Sequence, residues 1–89
     1  MNDLTATVKV CDMNEQKKTK IVQLAQEAVS QFNSSKEIAG YLKTKLEEAY
    51  EGNWHCIVGR DFGSKISQEE GNFIFFYIGD RAFQMYKFG

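Results

Sequence analysis

The side chains in this sequence best suited to chemistry are one histidine and two cysteines. His55 and Cys56 are adjacent, and Cys11 lies far from both along the chain. A thiol beside an imidazole can act in nucleophilic catalysis, and both groups can bind metal ions. Neighbouring residues of a strand point to opposite faces, however, and a metal site needs further ligands. The sequence therefore favours a packed histidine and reduced thiols. A thiol-based enzyme using Cys56 and a redox pair of the two cysteines are the alternatives.

The composition and charge of the chain argue against several classes of function. The chain has 89 residues, of which 43% are hydrophobic and 13% aromatic, and its formal net charge is −1. We expect a single small domain over residues 1–89. From its charge balance, its short apolar segments and its first residues, we expect no nucleic-acid binding, no membrane-spanning segment and no secretory signal. It also contains no phosphate-binding glycine loop and no obvious carboxylate pair, so we expect no enzyme, no cofactor and no metal site.

Two amphipathic helices are predicted in the first half of the chain. Either Asp12 or Asn14 can cap the first helix, and a capping box of Ser34 and Glu37 begins the second. The charged side of the second helix, which includes Lys43 and Glu47, is interpreted as a solvated face. The predicted buried positions are Ile21, Val22, Ala25, Ala28, Val29 and Phe32 in the first helix, and Ile38, Leu42, Leu46 and Ala49 in the second.

Aromatic and β-branched residues predict strands on either side of the helical segment. Short connectors at 59–61 and 79–80 are typical of tight turns. The resulting order β-α-α-β-β-β-β predicts an α+β fold with two helices packed on one face of an antiparallel sheet. The predicted strands are Leu4–Val10, Trp54–Val58, Phe62–Ser67, Phe73–Ile78 and Ala82–Phe88.

The strand Phe73–Ile78 is apolar on both of its faces. Phe73, Phe75 and Tyr77 alternate with three other apolar residues, so neither side of the strand favours water. Two helices can cover only one side of the sheet. We expect a second copy of the chain to cover the other, in a twofold homodimer.

The strand Phe62–Ser67 has the pattern of an edge strand. It holds few apolar anchors, and Lys65 is a charge of the kind that discourages open-ended pairing. Such an edge can remain unused, or it can accept an extended peptide as an added strand. The residues alone leave both possibilities open.

From Val8 to Gly89 the sequence resembles the hub-type dynein light chains without an evident gap. The resemblance covers most of the chain, and its longest run begins at Trp54. It rests on Asp12-Met13, Lys36, Ile38-Ala39, Tyr50, Trp54-His55-Cys56-Ile57-Val58-Gly59-Arg60, Phe62-Gly63-Ser64, Phe73-Ile74, Phe76-Tyr77 and Lys87 with Gly89.

The resemblance implies a non-enzymatic homodimer in which the strand Phe62–Ser67 crosses to the sheet of the other protomer. Two interface grooves would then bind extended partner segments by strand addition. The implied partners are the dynein intermediate chain and other proteins with Thr-Gln-Thr-like motifs. The implied groove residues are Lys36, Phe62, Gly63, Ser64, Lys65, Ile66, Ser67, Phe73, Phe75 and Tyr77. The implied dimer-interface residues are His55, Cys56, Phe62, Ser64, Lys65 and Ile66.

The resemblance also carries expectations about regulation, selectivity and location. A neutral His55 is tolerated at such an interface and a charged one is not, so the dimer is expected to weaken in acid. Lys65 stands where tyrosine is common on the crossing strand, which is expected to affect the strength of the dimer. Asp61, Gln68 and Phe75 also differ from the usual family residues, which is expected to shift peptide selectivity. The expected location is a microtubule-associated dynein complex in the cytoplasm or a cilium. The alternative function is a purely structural light chain, fixed in one dynein complex without general hub activity.

Overall fold

The computed structural model describes residues 4–60 and 72–88. Within these ranges the described strands are antiparallel and lie in the spatial order β1-β3-β4-β2. The predicted α+β fold, with two helices on an antiparallel sheet, is confirmed. The predicted strand Phe62–Ser67 lies outside the described residues. The elements are β1 (Ala6–Asp12), α1 (Glu15–Gln31), α2 (Ser35–Ala49), β2 (Asn53–Gly59), β3 (Phe73–Ile78) and β4 (Arg81–Phe88).

Side-chain caps fix the start of both helices. At α1, the Asn14 side chain accepts a hydrogen bond from the Lys17 backbone N–H at 2.8 Å, so Asn14 is the cap. At α2, Ser34 Oγ accepts from the Glu37 N–H at 3.1 Å and donates to Glu37 Oε1 at 3.0 Å. The serine half of the predicted capping box is confirmed, because Ser34 satisfies a backbone donor that would otherwise lack a partner, whereas the Glu37 carboxylate accepts from the Ser34 hydroxyl.

The buried side of each helix differs from the predicted stripe. Three of the positions predicted for the first helix are only partly buried, namely Val22, Val29 and Phe32. Leu24, absent from the prediction, is buried in α1 beside Ile21, Ala25 and Ala28. These four residues follow the i, i+3, i+4, i+7 spacing of one helical face. Ala49 is exposed rather than buried, because it is the last residue of α2.

One face of the sheet packs against both helices and forms the main core. Phe76 and Phe83 are fully buried at its centre, and their rings stack with centroids 5.0 Å apart. Each such side chain contributes about 2 kcal/mol by leaving water. The core side chains are Ile21, Leu24, Ala25, Ala28, Ile38, Leu42, Leu46, Trp54, Ile74, Phe76, Ile78, Phe83 and Met85.

The connections between elements use glycine where the backbone requires it. Gly52 has φ +106° between α2 and β2, and Gly79 has φ +62° in the turn between β3 and β4. Residues that carry a side chain rarely adopt positive φ values of this kind, so glycine makes both turns possible. The β3–β4 turn brings the two central strands into antiparallel register, with Phe76 opposite Phe83.

Candidate protein-interaction surface

The side of the sheet that points away from α1 and α2 is the candidate surface, and we call it the helix-free face. Strand register arranges its side chains in rows that run across β1, β3, β4 and β2. Residues opposite one another in an antiparallel pair share a face, so each row is a line of neighbours. The rows are Asp12-Phe73-Tyr86-His55, Val10-Phe75-Gln84-Ile57 and Thr7-Tyr77-Ala82-Gly59.

Aromatic residues dominate the centre of the helix-free face. Phe73 and Phe75 are buried and belong to one cluster with Ala82. The rings of Phe75 and Tyr77 meet edge to face, with centroids 5.4 Å apart. Both faces of β3 are therefore apolar and largely withdrawn from water, as its sequence predicts.

Two exposed aliphatic residues lie at the ends of the central row. Val10 on β1 is 43% exposed and Ile57 on β2 is 40% exposed. Phe75 and Gln84 lie between them in the same row and are buried, so the exposed apolar groups of this row lie at the two edges of the sheet. Exposed apolar groups at a sheet edge are candidate contacts with another protein chain.

Gln84 lies in the middle of this row and is the polar exception. Its side chain is 2% exposed, and its buried Oε1 has no hydrogen-bond partner in the part of the chain that the structure describes. The residues directly opposite it on the neighbouring strands are Phe75 and Ile57, which offer no polar side-chain group. An unsatisfied buried carbonyl costs about 1–3 kcal/mol.

The outer edge of β2 is partly closed by an ion pair from α2. Lys43 Nζ lies 2.8 Å from Glu47 Oε2 and also donates to the Trp54 carbonyl oxygen at 2.8 Å. The Trp54 N–H donates to Glu47 Oε2 at 3.4 Å. Lys43 and Glu47, interpreted from the sequence as a solvated face, thus hold both backbone groups of Trp54.

This contact establishes which backbone groups of β2 point outward. Backbone groups of Trp54 that bond to α2 point away from β4, and in an antiparallel ladder this direction alternates along the strand. The N–H and C=O groups of Cys56 and Val58 therefore also point to the outer edge. A strand adding to β2 would pair at Cys56 and Val58 and would stop at Trp54.

The edge at β1 has a different construction. The register of β1 with β3 shifts between Val8 and Val10, which leaves Lys9 as the extra residue of a bulge. Bulges and lysines on edge strands both discourage pairing with another chain. By contrast, β2 keeps an unbroken register with β4 from Asn53 to Gly59 and contains no lysine, arginine, aspartate or glutamate. Of the two edges, β2 is better suited to accept a strand.

Two ionisable groups near this edge have shifted pKa values. The hydrogen bond from Lys43 lowers the pKa of Glu47, and the bond from the Trp54 N–H adds to this effect. Burial raises the pKa of the Cys56 thiol to about 12. Cys56 packs against the helix-side core, whereas His55 is exposed on the helix-free face and stacks on Tyr86 at 5.1 Å. These two neighbours therefore do not form a nucleophile and base.

The structure brings some predicted site residues together and separates others. Phe73, Phe75 and Tyr77 share the helix-free face, and His55 lies at its β2 edge. Lys36 is exposed in the first turn of α2, in the other layer of the fold. The predicted residues Phe62, Gly63, Ser64, Lys65, Ile66 and Ser67 lie outside the described residues.

Sequence reasoning missed the contribution of β4 to this face. Ala82, Gln84 and Tyr86 alternate with Phe83 and Met85, which belong to the helix-side core. This period of two was present in the sequence and indicates a strand with two distinct faces. Only the register, however, places Gln84 directly beside Phe75.

Comparison with known proteins identifies the family. The family model described as dynein light chain type 1 matches residues 5–88. The chain belongs to the dynein light chain family. It is 45% identical to a protein named dynein light chain 1, cytoplasmic, from Debaryomyces hansenii, over 92% of this chain and 90% of that protein. It is 39% identical to a dynein light chain of Schistosoma mansoni over the full length of both.

Solved structures of dynein light chain-like domains share this fold. The domain of the Fasciola hepatica calcium binding protein FhCaBP2 superposes with a TM-score of 0.86 at 15% identity, covering 98% of this chain and 94% of that one. The domain of CsTAL3 has a TM-score of 0.77 at 17% identity, covering 92% and 90%. At such low identity these likenesses concern the fold alone.

Family membership tests the expectation that the protein is not an enzyme. Dynein light chains are structural and adaptor components of a cytoskeletal motor and are not enzymes, so the expectation of a non-enzymatic protein is confirmed. Within residues 4–60 and 72–88, no group of three or more candidate ligand side chains could hold a metal ion. Neither described helix is long and apolar enough to cross a membrane.

Proposed function

We propose that this dynein light chain is a homodimer that binds extended segments of partner proteins by strand addition. The proposed partners are the dynein intermediate chain and other proteins with Thr-Gln-Thr-like motifs, and the proposed setting is a cytoplasmic, microtubule-associated dynein complex. The observation that carries the proposal is the contrast between the two sheet edges. β1 is interrupted by a bulge at Lys9, whereas β2 is regular.

The dimer follows from this edge and from the helix-free face. The strand Phe62–Ser67 of a second copy would pair with the outward backbone groups of Cys56 and Val58. Its arrival would place the partner protomer over Ile57 and His55, whose exposed side chains point to the helix-free face. Cys56 would contribute backbone groups to this interface, since its side chain faces the core.

The binding groove would lie between the exchanged strand and the aromatic cluster. Phe73, Phe75 and Tyr77 supply an apolar wall on one face of β3. An extended segment would gain affinity from main-chain hydrogen bonds and selectivity from this wall. Exposed Lys36 would meet the glutamine of the motif. Two grooves on one dimer would bind a dimeric partner with an avidity gain of roughly 10²–10⁴-fold.

Sedimentation and calorimetry test the proposal together. Sedimentation equilibrium at neutral pH should give a dimer, and titration with a synthetic Thr-Gln-Thr peptide should give one site per protomer. Lys36→Ala should weaken the peptide by about tenfold. Lys45→Ala, on the same helix but beside Glu48 and Tyr41, is the matched control and should not. A monomer would refute the proposal, and a dimer that binds no such peptide would favour the purely structural light chain.

A further inference from the structure

A buried carboxamide is out of place on the helix-free face. Gln84 is 2% exposed, and within residues 4–60 and 72–88 its Oε1 has no hydrogen-bond partner. Buried polar groups in folded proteins nearly always have a partner, so each exception requires a reason. The fold does not demand glutamine here, because the flanking positions on β3 and β2 are Phe75 and Ile57.

The position of Gln84 connects it with peptide binding. It lies directly opposite Phe75, the central one of the three groove residues proposed on β3. In the neighbouring row, Tyr77 lies opposite Ala82, which is buried in the same cluster as Phe75. Gln84 Oε1, a buried side-chain atom that has no partner among the described residues, is therefore adjacent to the residues that would contact a bound segment.

We infer that Gln84 is a specificity-determining residue, which selects partner segments that place a hydroxyl or carboxamide side chain against it. This inference rests on the proposed peptide-binding function and deepens it. A threonine hydroxyl can donate to Oε1, and it can accept from the amide if the carboxamide is turned over. A valine of the same shape can do neither and leaves Oε1 buried and unsatisfied. The groove should therefore discriminate between these two side chains more strongly than an apolar wall does.

Peptide pairs test this selectivity. The probes are a synthetic Thr-Gln-Thr peptide and versions in which valine replaces the first threonine, the second or both, each titrated by calorimetry. The wild-type chain should bind the original about tenfold more tightly than at least one valine version. Gln84→Leu should reduce this ratio to about one or reverse it, because the leucine wall has no polar atom to satisfy. Gln23→Leu changes an exposed glutamine of α1 and should keep the wild-type ratio.

The possible outcomes separate the two proposals. Equal threonine-to-valine ratios in the wild type and Gln84→Leu would overturn the role of Gln84 while leaving peptide binding intact. Binding of no peptide to either form, with the dimer present, would overturn peptide binding and the selectivity with it. A weaker Gln84→Leu dimer with an unchanged peptide ratio would assign the carboxamide to the partner protomer and refute the inference. Thermal unfolding of each variant would identify any loss of binding that is due to misfolding.

Discussion

His55 and Cys56 are adjacent on β2, and their side chains therefore lie on opposite faces of the sheet and have different roles. The thiol points into the helix-side core, and the imidazole points to the helix-free face beside Tyr86. A reactive cysteine needs an accessible thiolate, which a positive neighbour or a helix N-terminus usually stabilises. Burial does the opposite to Cys56, so we expect its thiol to pack against the core and to be unreactive.

Cys56 is therefore expected to resist alkylation in the folded protein. Burial raises the pKa of its thiol to about 12 from an ordinary value of 9.0, which lowers the thiolate fraction at mildly alkaline pH on the order of a thousandfold. Peptide-resolved mass spectrometry after iodoacetamide treatment should show Cys56 reacting at least about a hundredfold more slowly in native protein than in guanidinium chloride. Fast native labelling of Cys56 would contradict this burial and reopen the thiol-enzyme alternative.

At the scale of elements, α2 both supports the sheet and limits its growth. The Lys43–Glu47 pair bonds the two backbone groups of Trp54 that would otherwise be open to an added strand. The side chains of this pair are 49% and 36% exposed, so the pair itself contributes little to stability. The pair instead determines where an added strand could bind, because it occupies the backbone groups of Trp54 and leaves those of Cys56 and Val58 available for pairing.

The Trp54 amide gives a direct measure of this contact. Its hydrogen-exchange protection should be present at all protein concentrations, because the acceptor belongs to the same chain. Glu47→Ala should lower that protection by about tenfold, while Glu48→Ala, one residue along α2, should not. The amides of Cys56 and Val58 should instead gain protection as concentration rises and the dimer forms. Their protection at every dilution would contradict strand addition at this edge.

The same contact has a defined pH dependence. Its hydrogen bonds from Lys43 and Trp54 hold the pKa of Glu47 below the ordinary value of 4.5. The carboxylate contact is therefore fully present above pH 4.5 and is lost as pH falls through the lower folded value. The Trp54 protection factor, corrected for the intrinsic exchange rate, should stay constant down to pH 4.5 and decline only below it.

The sequence predicted those elements that depend on neighbouring residues. The Ser34–Glu37 cap spans four residues, and the apolar run of β3 spans six, so both could be inferred from neighbouring residues. The bulge at Lys9 and the hydrogen bond from Lys43 to the Trp54 carbonyl oxygen could not be predicted in this way, because each depends on a pairing between distant segments. Gln84 combines the two situations. The alternation along β4 predicts which face of the sheet its side chain lies on, but the lack of a hydrogen-bond partner for Oε1 among the described residues could not be predicted from the sequence.

At the scale of the whole molecule, the sheet has one protected edge, one regular edge and two apolar faces. Helices cover one face, and the other ends in exposed Val10 and Ile57 on opposite edges. If a second copy adds at β2, Ile57 becomes a contact between protomers while Val10 stays remote from the exchanged strand. These two residues have similar exposure and chemistry, so they form a matched pair for testing the assembly.

Ile57→Glu should separate the protomers, and Val10→Glu should not. Ile57 is 40% exposed in the protomer, so a glutamate there reaches water until a second copy arrives. Dimerisation would then bury an unpaired carboxylate, which costs about 3 kcal/mol or more and weakens association by about a hundredfold. Sedimentation equilibrium should show monomeric Ile57→Glu at concentrations where the wild type and Val10→Glu are dimeric, with all three giving the same circular dichroism. Dissociation by Val10→Glu alone would move the interface to the β1 edge, because only a partner seated there would bury that carboxylate.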